Sequence, residues 1–227
     1  MELILGSQSP RRRELLERMG LKFRVLTADI DETKYETEDP EASVRRICRA
    51  KAAAVAERLK RENSQFSALH SQLVLASDTI VVLDGRILGK PHDAAEAKAM
   101  LRALSGREHA VYTAFTLLPV GGPANDTAGD GGRGSFGSGF ASAQDDQRGA
   151  CTHCEKTLVK FRELTEAEID AYTASGEPMD KAGAYGIQGL GAMLVAGIRG
   201  DFFTVMGLPV CALTLALKRY GLDPLSP

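Results

Sequence analysis

Two rhythms of apolar residues alternate along this chain. Short runs rich in aliphatic and β-branched residues occur at LILGS (3–7), FRVLTADI (23–30), LVLASDTIVVL (73–83), HAVYTAFTLLP (109–119), KTLVKFREL (156–164) and AMLVAGIRG (192–200), and each predicts a strand. Between them, apolar positions recur at helical spacing over 10–19, 42–61, 94–104, 166–175 and 210–220. The helix boundaries carry chemical signals. Ser9 before Pro10 suits an N-cap and first turn, Asp93 suits the cap of 94–104, and Thr165 with Glu168 forms a capping box. Gly106, Gly176 and Pro178 serve as stops. The tripeptide DGR predicts a turn from the third run into a short strand at ILGKP (87–91). Strands alternating with helices imply an α/β fold.

Between residues 119 and 155 both rhythms fail. Eight of the nineteen residues from 121 to 139 are glycine, so the stretch lacks the apolar surface needed to offset its ordering entropy. It reads as a disordered insertion in a hairpin connection, inside a single domain spanning 1–227. Its far end carries Cys151, His153 and Cys154 as CTHC, half of a zinc pattern without a second half, and the pair is expected to be free surface thiols. Cys48 and Cys211 lie in apolar periodic segments and read as small core residues. His70, His92, His109 and His153 show no metal-ligand spacing.

Charge narrows the possible partners. Lys and Arg number 28 against 30 Asp and Glu, so no net field draws the chain to nucleic acid or an anionic membrane, and any phosphate-binding charge must be local. The start, MELILGSQSPRRR, is too short in apolar residues for a signal peptide. Asp78 interrupts the longest apolar run, leaving no spanning segment. A cytoplasmic protein is expected.

Local charge of that kind occurs in SQSPRRR, where two hydroxyls and three guanidiniums meet at a strand-to-helix junction. Main-chain N–H groups and arginine forks both suit phosphate, although Ser9 as a plain cap and the arginines as a solvated face would give the same string. Asp78 is more telling, because a carboxylate inside an apolar strand must be paired or metal-bound. Asp31 and Glu32, in DIDET, are further hard oxygen donors suited to magnesium held against phosphates. Lys90 is stiffened by the proline after it. In SGEPMDKAGAYGIQGLGAMLV, glycines permit close backbone approach while Asp180, Lys181 and Gln188 supply polar groups. The chain has no Walker pattern, no GxGxxG opening a βαβ unit and no serine nucleophile elbow.

Taken in order, SQSPRR, DIDE, ASDT, GKP, the SG and H-x-V-x-T stretch ending at Thr113, and SGEPMDKAGAYGIQGLG followed by VMGLP resemble the Maf family of nucleotide pyrophosphatases. The resemblance covers the chain outside the insertion. It implies a mixed sheet flanked by helices, two lobes around a central cleft, a divalent cation (Mg²⁺ or Mn²⁺), and a homodimer. By position it implies Asp78 as the base acting on the attacking water and, with Glu32, as a ligand of the cation. Ser7, Arg12, Lys51 and Lys90 would contact the triphosphate of a nucleoside triphosphate. Arg11, Thr79 and Gln188 match the branch acting on dTTP and UTP, since a glutamine amide both donates to and accepts from a pyrimidine edge. The competing implications are a pyrophosphatase for a methylated or noncanonical purine nucleotide and a nucleotide-binding regulator of septum formation. The insertion has no counterpart in the resemblance, and its removal over 121–148 is expected to leave turnover nearly intact.

Overall fold

The computed structural model describes residues 1–31, 38–62, 71–121, 144–145 and 149–226. The chain runs β1 (Glu2–Leu5), α1 (Pro10–Arg18), β2 (Phe23–Val25), α2 (Pro40–Glu62), β3 (Gln72–Leu83), β4 (Arg86–Leu88), α3 (Ala94–Leu104), β5 (Glu108–Val120), β6 (Gln144–Asp145) and β7 (Cys151–Phe161). It continues with α4 (Glu166–Ala174), three short 3-10 turns, β8 (Val195–Arg199), α5 (Phe202–Met206) and α6 (Val210–Lys218). The strands form one mixed sheet in the order β2-β1-β3-β5-β7-β6, with β4 also paired to β3 and β8 to β7. β1 is parallel to β2 and β3, whereas β3, β5 and β7 are antiparallel neighbours.

Alternation of side chains explains the layering. Leu3, Leu5, Leu73 and Leu75 point to one face and pack with Leu15 and Leu16 of α1 and Leu213 and Leu217 of α6. Ile4, Val74 and Ala76 point to the other and pack with Val44, Cys48, Ala52 and Val55 of α2. A third cluster, around Leu101 of α3, Ile169 of α4 and Phe161 of β7, covers the far end of the sheet and forms the second lobe. Each fully buried Leu or Ile adds roughly 1.5–3 kcal/mol, so β3, buried along nearly all its length, is the central stabilising strand.

The capping signals hold where a side chain can reach a free N–H. Asp93 accepts from Glu96 N–H at 2.8 Å, and the Thr165 and Glu168 box is reciprocal. Ser9 does stand at the N-cap of α1, but its side chain caps nothing. Several strands have different bounds from those the pattern predicts, AMLVAGIRG among them, which keeps only Val195–Arg199. FRVLTADI yields only Phe23–Val25, ILGKP gives way to Arg86–Leu88, and β7 begins five residues early. That last extension corrects the reading of CTHC. Cys151 and Cys154 are 2% and 7% exposed, buried in β7, because the strand pairs with β5 from Leu117 onward. Cys211, expected in the core, is exposed on α6. Within the 119–155 stretch, residues 122–143 and 146–148 lie outside the described residues, as do Glu32 and His70. No described helix is long and apolar enough to cross a membrane.

Candidate active site

A cleft opens where β3 loses its neighbour. On one edge β3 is paired with β5 from Gln72 to Val82. On the other, β1 ends opposite Leu75 and the antiparallel β4 reaches back only as far as Val81, so among the described residues no strand lies beside residues 76–80. Gly6 closes the end of β1 by donating its N–H to Leu75 O at 2.8 Å. Strand alternation sends Asp78 toward α2 and Ser77 and Thr79 to the opposite face, and a cavity of about 1000 Å³ is bordered by all three.

Each lobe contributes a wall. The first brings Ser7, Arg11 and Arg12 from the β1–α1 junction, Lys51 from α2, and Asp78 and Thr79 from β3. The second brings Asp180, Lys181, Tyr185 and Gln188 from the glycine-rich segment, with Lys90 beyond β4. Most candidates from the sequence therefore border one cavity, but Asp31 and Arg13 do not line it. Glu32 lies outside the described residues.

Asp78 and Lys51 form the buried ionic centre. Lys51 Nζ donates to Asp78 Oδ1 at 2.7 Å, with the two side chains 16% and 12% exposed. Carboxylate and ammonium both lose hydration there, and their pairing offsets that cost, so removing either leaves the other uncompensated.

Arg12 is held from three sides. Nε donates to Gly207 O at 2.8 Å, Nη1 to Ser7 Oγ at 3.0 Å and Nη2 to Thr79 Oγ1 at 3.1 Å. Ser7 Oγ also accepts the Ser9 N–H at 3.2 Å, which explains why Ser7, rather than Ser9, organises the start of α1. Having accepted twice, the Ser7 hydroxyl keeps its own proton for an acceptor. Gly207 sits at φ +109, a conformation other residues rarely adopt, and its carbonyl also accepts Ser77 Oγ–H at 3.0 Å.

The opposite wall is built from main chain. Glu177 accepts the N–H groups of Leu190 and Gly191 at 2.9 and 3.1 Å and the Tyr172 hydroxyl at 2.9 Å, while that hydroxyl accepts Gly186 N–H at 3.1 Å. Burial favours a protonated Glu177, but these donors outweigh it and hold the carboxyl below its ordinary range. Gly183 sits at φ +70 against Val81, where a Cβ would come within 2.9 Å, and its N–H donates to Gly89 O at 2.9 Å. That contact ties the glycine-rich segment to the end of β4. Lys181 Nζ bonds Asp180 Oδ1 and Glu177 O, each at 2.6 Å, and Arg11 approaches Asp180 at 3.8 Å. Gln188 and Lys90 are exposed on the cleft.

Beneath this wall, His109 Nε2 hydrogen-bonds the Tyr185 hydroxyl at 2.8 Å, while the buried Nδ1 has no partner among the described residues. Burial lowers the His109 pKa to about 4. The residues that sequence reasoning passed over are Ser77, Thr204 and Gly207 as anchors, Glu177 as the tie of the glycine-rich segment, and Thr113 as more than part of a motif. The available signal was hydroxyls inside apolar strands, Ser77 and Thr79 on β3 and Thr113 on β5, of which Thr79 and Thr113 stand directly opposite each other.

Comparison with known proteins follows the same outline. The family described as Maf-like protein matches residues 2–220. A protein named dTTP/UTP pyrophosphatase from Moorella thermoacetica is 45% identical over 222 residues, covering 98% of this chain and 96% of that protein. Proteins of the same name from Bacillus thuringiensis subsp. konkukian and Bacillus cereus are each 41% identical, covering 98% of this chain and 97% of theirs. With the match running from β1 through the last helix, and with relatives similar over nearly their whole length, the chain belongs to the Maf-like protein family.

Proposed function

We propose that this chain hydrolyses dTTP and UTP between the α- and β-phosphates, releasing the nucleoside monophosphate and pyrophosphate. The observation that carries this reading is the Lys51–Asp78 ion pair at 2.7 Å in a cleft that also holds Arg12, Ser7 and Lys90. The names of the relatives support the same chemistry and supply the substrate pair.

Asp78 takes a proton from water as the water oxygen bonds to the α-phosphorus. The bond from the α-phosphorus to the oxygen bridging it to the β-phosphate breaks, and pyrophosphate leaves with that oxygen and its electron pair. This reaction asks the protein mainly for positioning and for cationic groups around the phosphates. Arg12 offers a fixed fork, Lys51 and Lys90 offer point charges, and the Ser7 hydroxyl offers one donor. Lys51, already on Asp78, keeps the base beside the phosphates.

The donor set fits a cation shared with substrate. Asp78 has one oxygen on Lys51 and a second carboxylate oxygen, a hard donor. Among the described residues no group of three His, Cys, Asp or Glu side chains gathers around a common point, so substrate oxygens would have to complete the shell. Magnesium or manganese would be held by Asp78 with Glu32, and would supply further neutralisation of the phosphate charge.

For base selection we assign Arg11, Thr79 and Gln188. The test is pyrophosphate release from dTTP, UTP, CTP, GTP, ATP and 7-methyl-GTP, with Mg²⁺ or Mn²⁺ and with EDTA as control. Metal-dependent turnover led by dTTP and UTP is expected. Turnover led by a purine nucleotide would discard the substrate assignment, and none with any of the six would discard the hydrolase reading.

A further inference from the structure

Thr113 touches nothing in the cleft. It is fully buried on β5, directly opposite Thr79 in the β3–β5 register. Its hydroxyl is nevertheless one link in a chain of hydrogen bonds whose direction the geometry fixes. Thr204 O is a carbonyl and can only accept, so Thr113 Oγ1 donates to it at 2.7 Å. That uses the single Thr113 proton, so the 2.9 Å contact with Thr79 Oγ1 has Thr79 as donor. Thr79 is then left to accept, and it does so from Arg12 Nη2 at 3.1 Å. The sequence Arg12 to Thr79 to Thr113 to the Thr204 carbonyl runs one way only, and each donation strengthens the next in a low-dielectric setting.

The far end of this chain is firmly held. Asp201 Oδ2 accepts the Thr204 N–H at 2.6 Å and its hydroxyl at 2.8 Å, and Thr157 Oγ1 donates to Asp201 O at 2.9 Å. The same short helix ends at Gly207, whose carbonyl takes Arg12 Nε. Arg12, on α1, is thus clamped from two points of α5, and Thr113 supplies the link for one of them.

We propose that Thr113 is a positioning residue for phosphate binding, orienting the Arg12 guanidinium through the Thr79 hydroxyl. The inference rests on the reading that Arg12 contacts phosphate. It also assigns Thr79 a use besides base selection, because the hydroxyl is already engaged on both sides.

The experiment is a thermodynamic cycle read by calorimetric affinity for pyrophosphate with Mg²⁺, using Thr113→Val, Thr113→Ser, Arg12→Ala and the Arg12→Ala/Thr113→Val double variant. Losing one hydrogen bond to a charged group is worth roughly a tenfold change in affinity. Thr113→Val should weaken pyrophosphate by about that factor, with Thr113→Ser restoring it, and should raise KM more than it lowers kcat. In the Arg12→Ala background the same change should add nothing, because its route to the ligand is gone. A merely structural threonine would lower affinity equally in both backgrounds, and that result would overturn the proposal. So would full affinity in Thr113→Val alongside weak binding in Arg12→Ala. If Arg12→Ala binds as tightly as the parent, the phosphate reading of Arg12 fails first and the inference falls with it. Should Thr113→Val not fold, Thr79→Val breaks the same chain one link nearer the cleft and is judged by the same outcomes.

Discussion

The two walls of the cleft are made of different material. One, from residues 6–12, 51 and 77–79, presents charged and hydroxyl side chains on regular elements: a helix start, the middle of a long helix and a central strand. The other, from residues 176–207, presents closely folded main chain. There Glu177 gathers two N–H groups, Gly183 admits Val81, and the carbonyls of Thr204 and Gly207 reach across to Thr113, Arg12 and Ser77. The difference indicates a division of labour: apart from Lys90, the charge for chemistry comes from the first wall, and much of the shape for the substrate comes from the second. Changes at the charged groups of the first wall should therefore strike turnover, whereas changes in the second should strike stability or selectivity.

The largest expected effect lies in the first wall. Asp78→Asn keeps size and a hydrogen-bonding oxygen for Lys51 while removing the base. General-base catalysis contributes about 10²–10⁴-fold, so turnover should fall about 10³-fold, equivalent to about 4 kcal/mol of barrier, while nucleotide affinity is retained. Single-turnover rates measured beside equilibrium nucleotide binding check this. Wild-type rates in Asp78→Asn would remove Asp78 from the chemistry and blur the division between the walls.

How much of that division is legible in the sequence follows from the same distinction. Asp78 stands out because a lone carboxylate in LVLASDTIVVL has no other easy explanation, and the structure indeed puts it in a strand with a cationic partner. The capping box at Thr165 and the cap at Asp93 are legible because side-chain type alone determines them. The second wall hides its work. The carbonyls of Gly207 and Thr204 belong to the backbone and carry no residue-type signature, and α5 is only Phe202–Met206, too short for helical periodicity to register. Cys151 was misplaced for a related reason. Composition marked the glycine-rich stretch but not where pairing with β5 resumes, and it resumes at Leu117 opposite Cys151.

A smaller effect, arising on β5 beneath the second wall, is a pH dependence of stability. His109 is 3% exposed and titrates near 4 because burial disfavours its charged form. The unfolded chain binds this proton near the ordinary value of about 6.5, so protonation pulls toward unfolding between about pH 6.5 and 4. The stability contribution is complete above that window and declines as pH falls through it, by about 3 kcal/mol in all. His109→Gln can still hydrogen-bond Tyr185 but cannot take a proton. Denaturant unfolding of both proteins at pH 7, 5.5 and 4.5 should give curves that converge as pH falls, with the histidine protein losing more. Parallel curves would show that His109 is not held neutral by its surroundings.

The smallest change tests whether the second wall selects the base at all. Gln188 is exposed on the cleft and lies on the same segment as Tyr185, so its amide is available to a bound base. An amide can present N–H to a pyrimidine carbonyl and C=O to the ring N3–H, whereas a carboxylate only accepts and would face the carbonyl oxygens with negative charge. Gln188→Glu should therefore lower kcat/KM for UTP and dTTP by roughly tenfold, the size of one lost hydrogen bond with an unfavourable contact, while Tm is unchanged. The discrimination matters more than the loss itself. If the chemistry is supplied wholly by the first wall, the variant should retain kcat at saturating UTP and should gain relative activity toward bases that offer a donor, such as the N1–H and 2-amino group of a guanine. Equal losses on UTP and GTP would instead mean that Gln188 supports the cleft without reading the base, and selection would then have to come from Arg11 and Thr79.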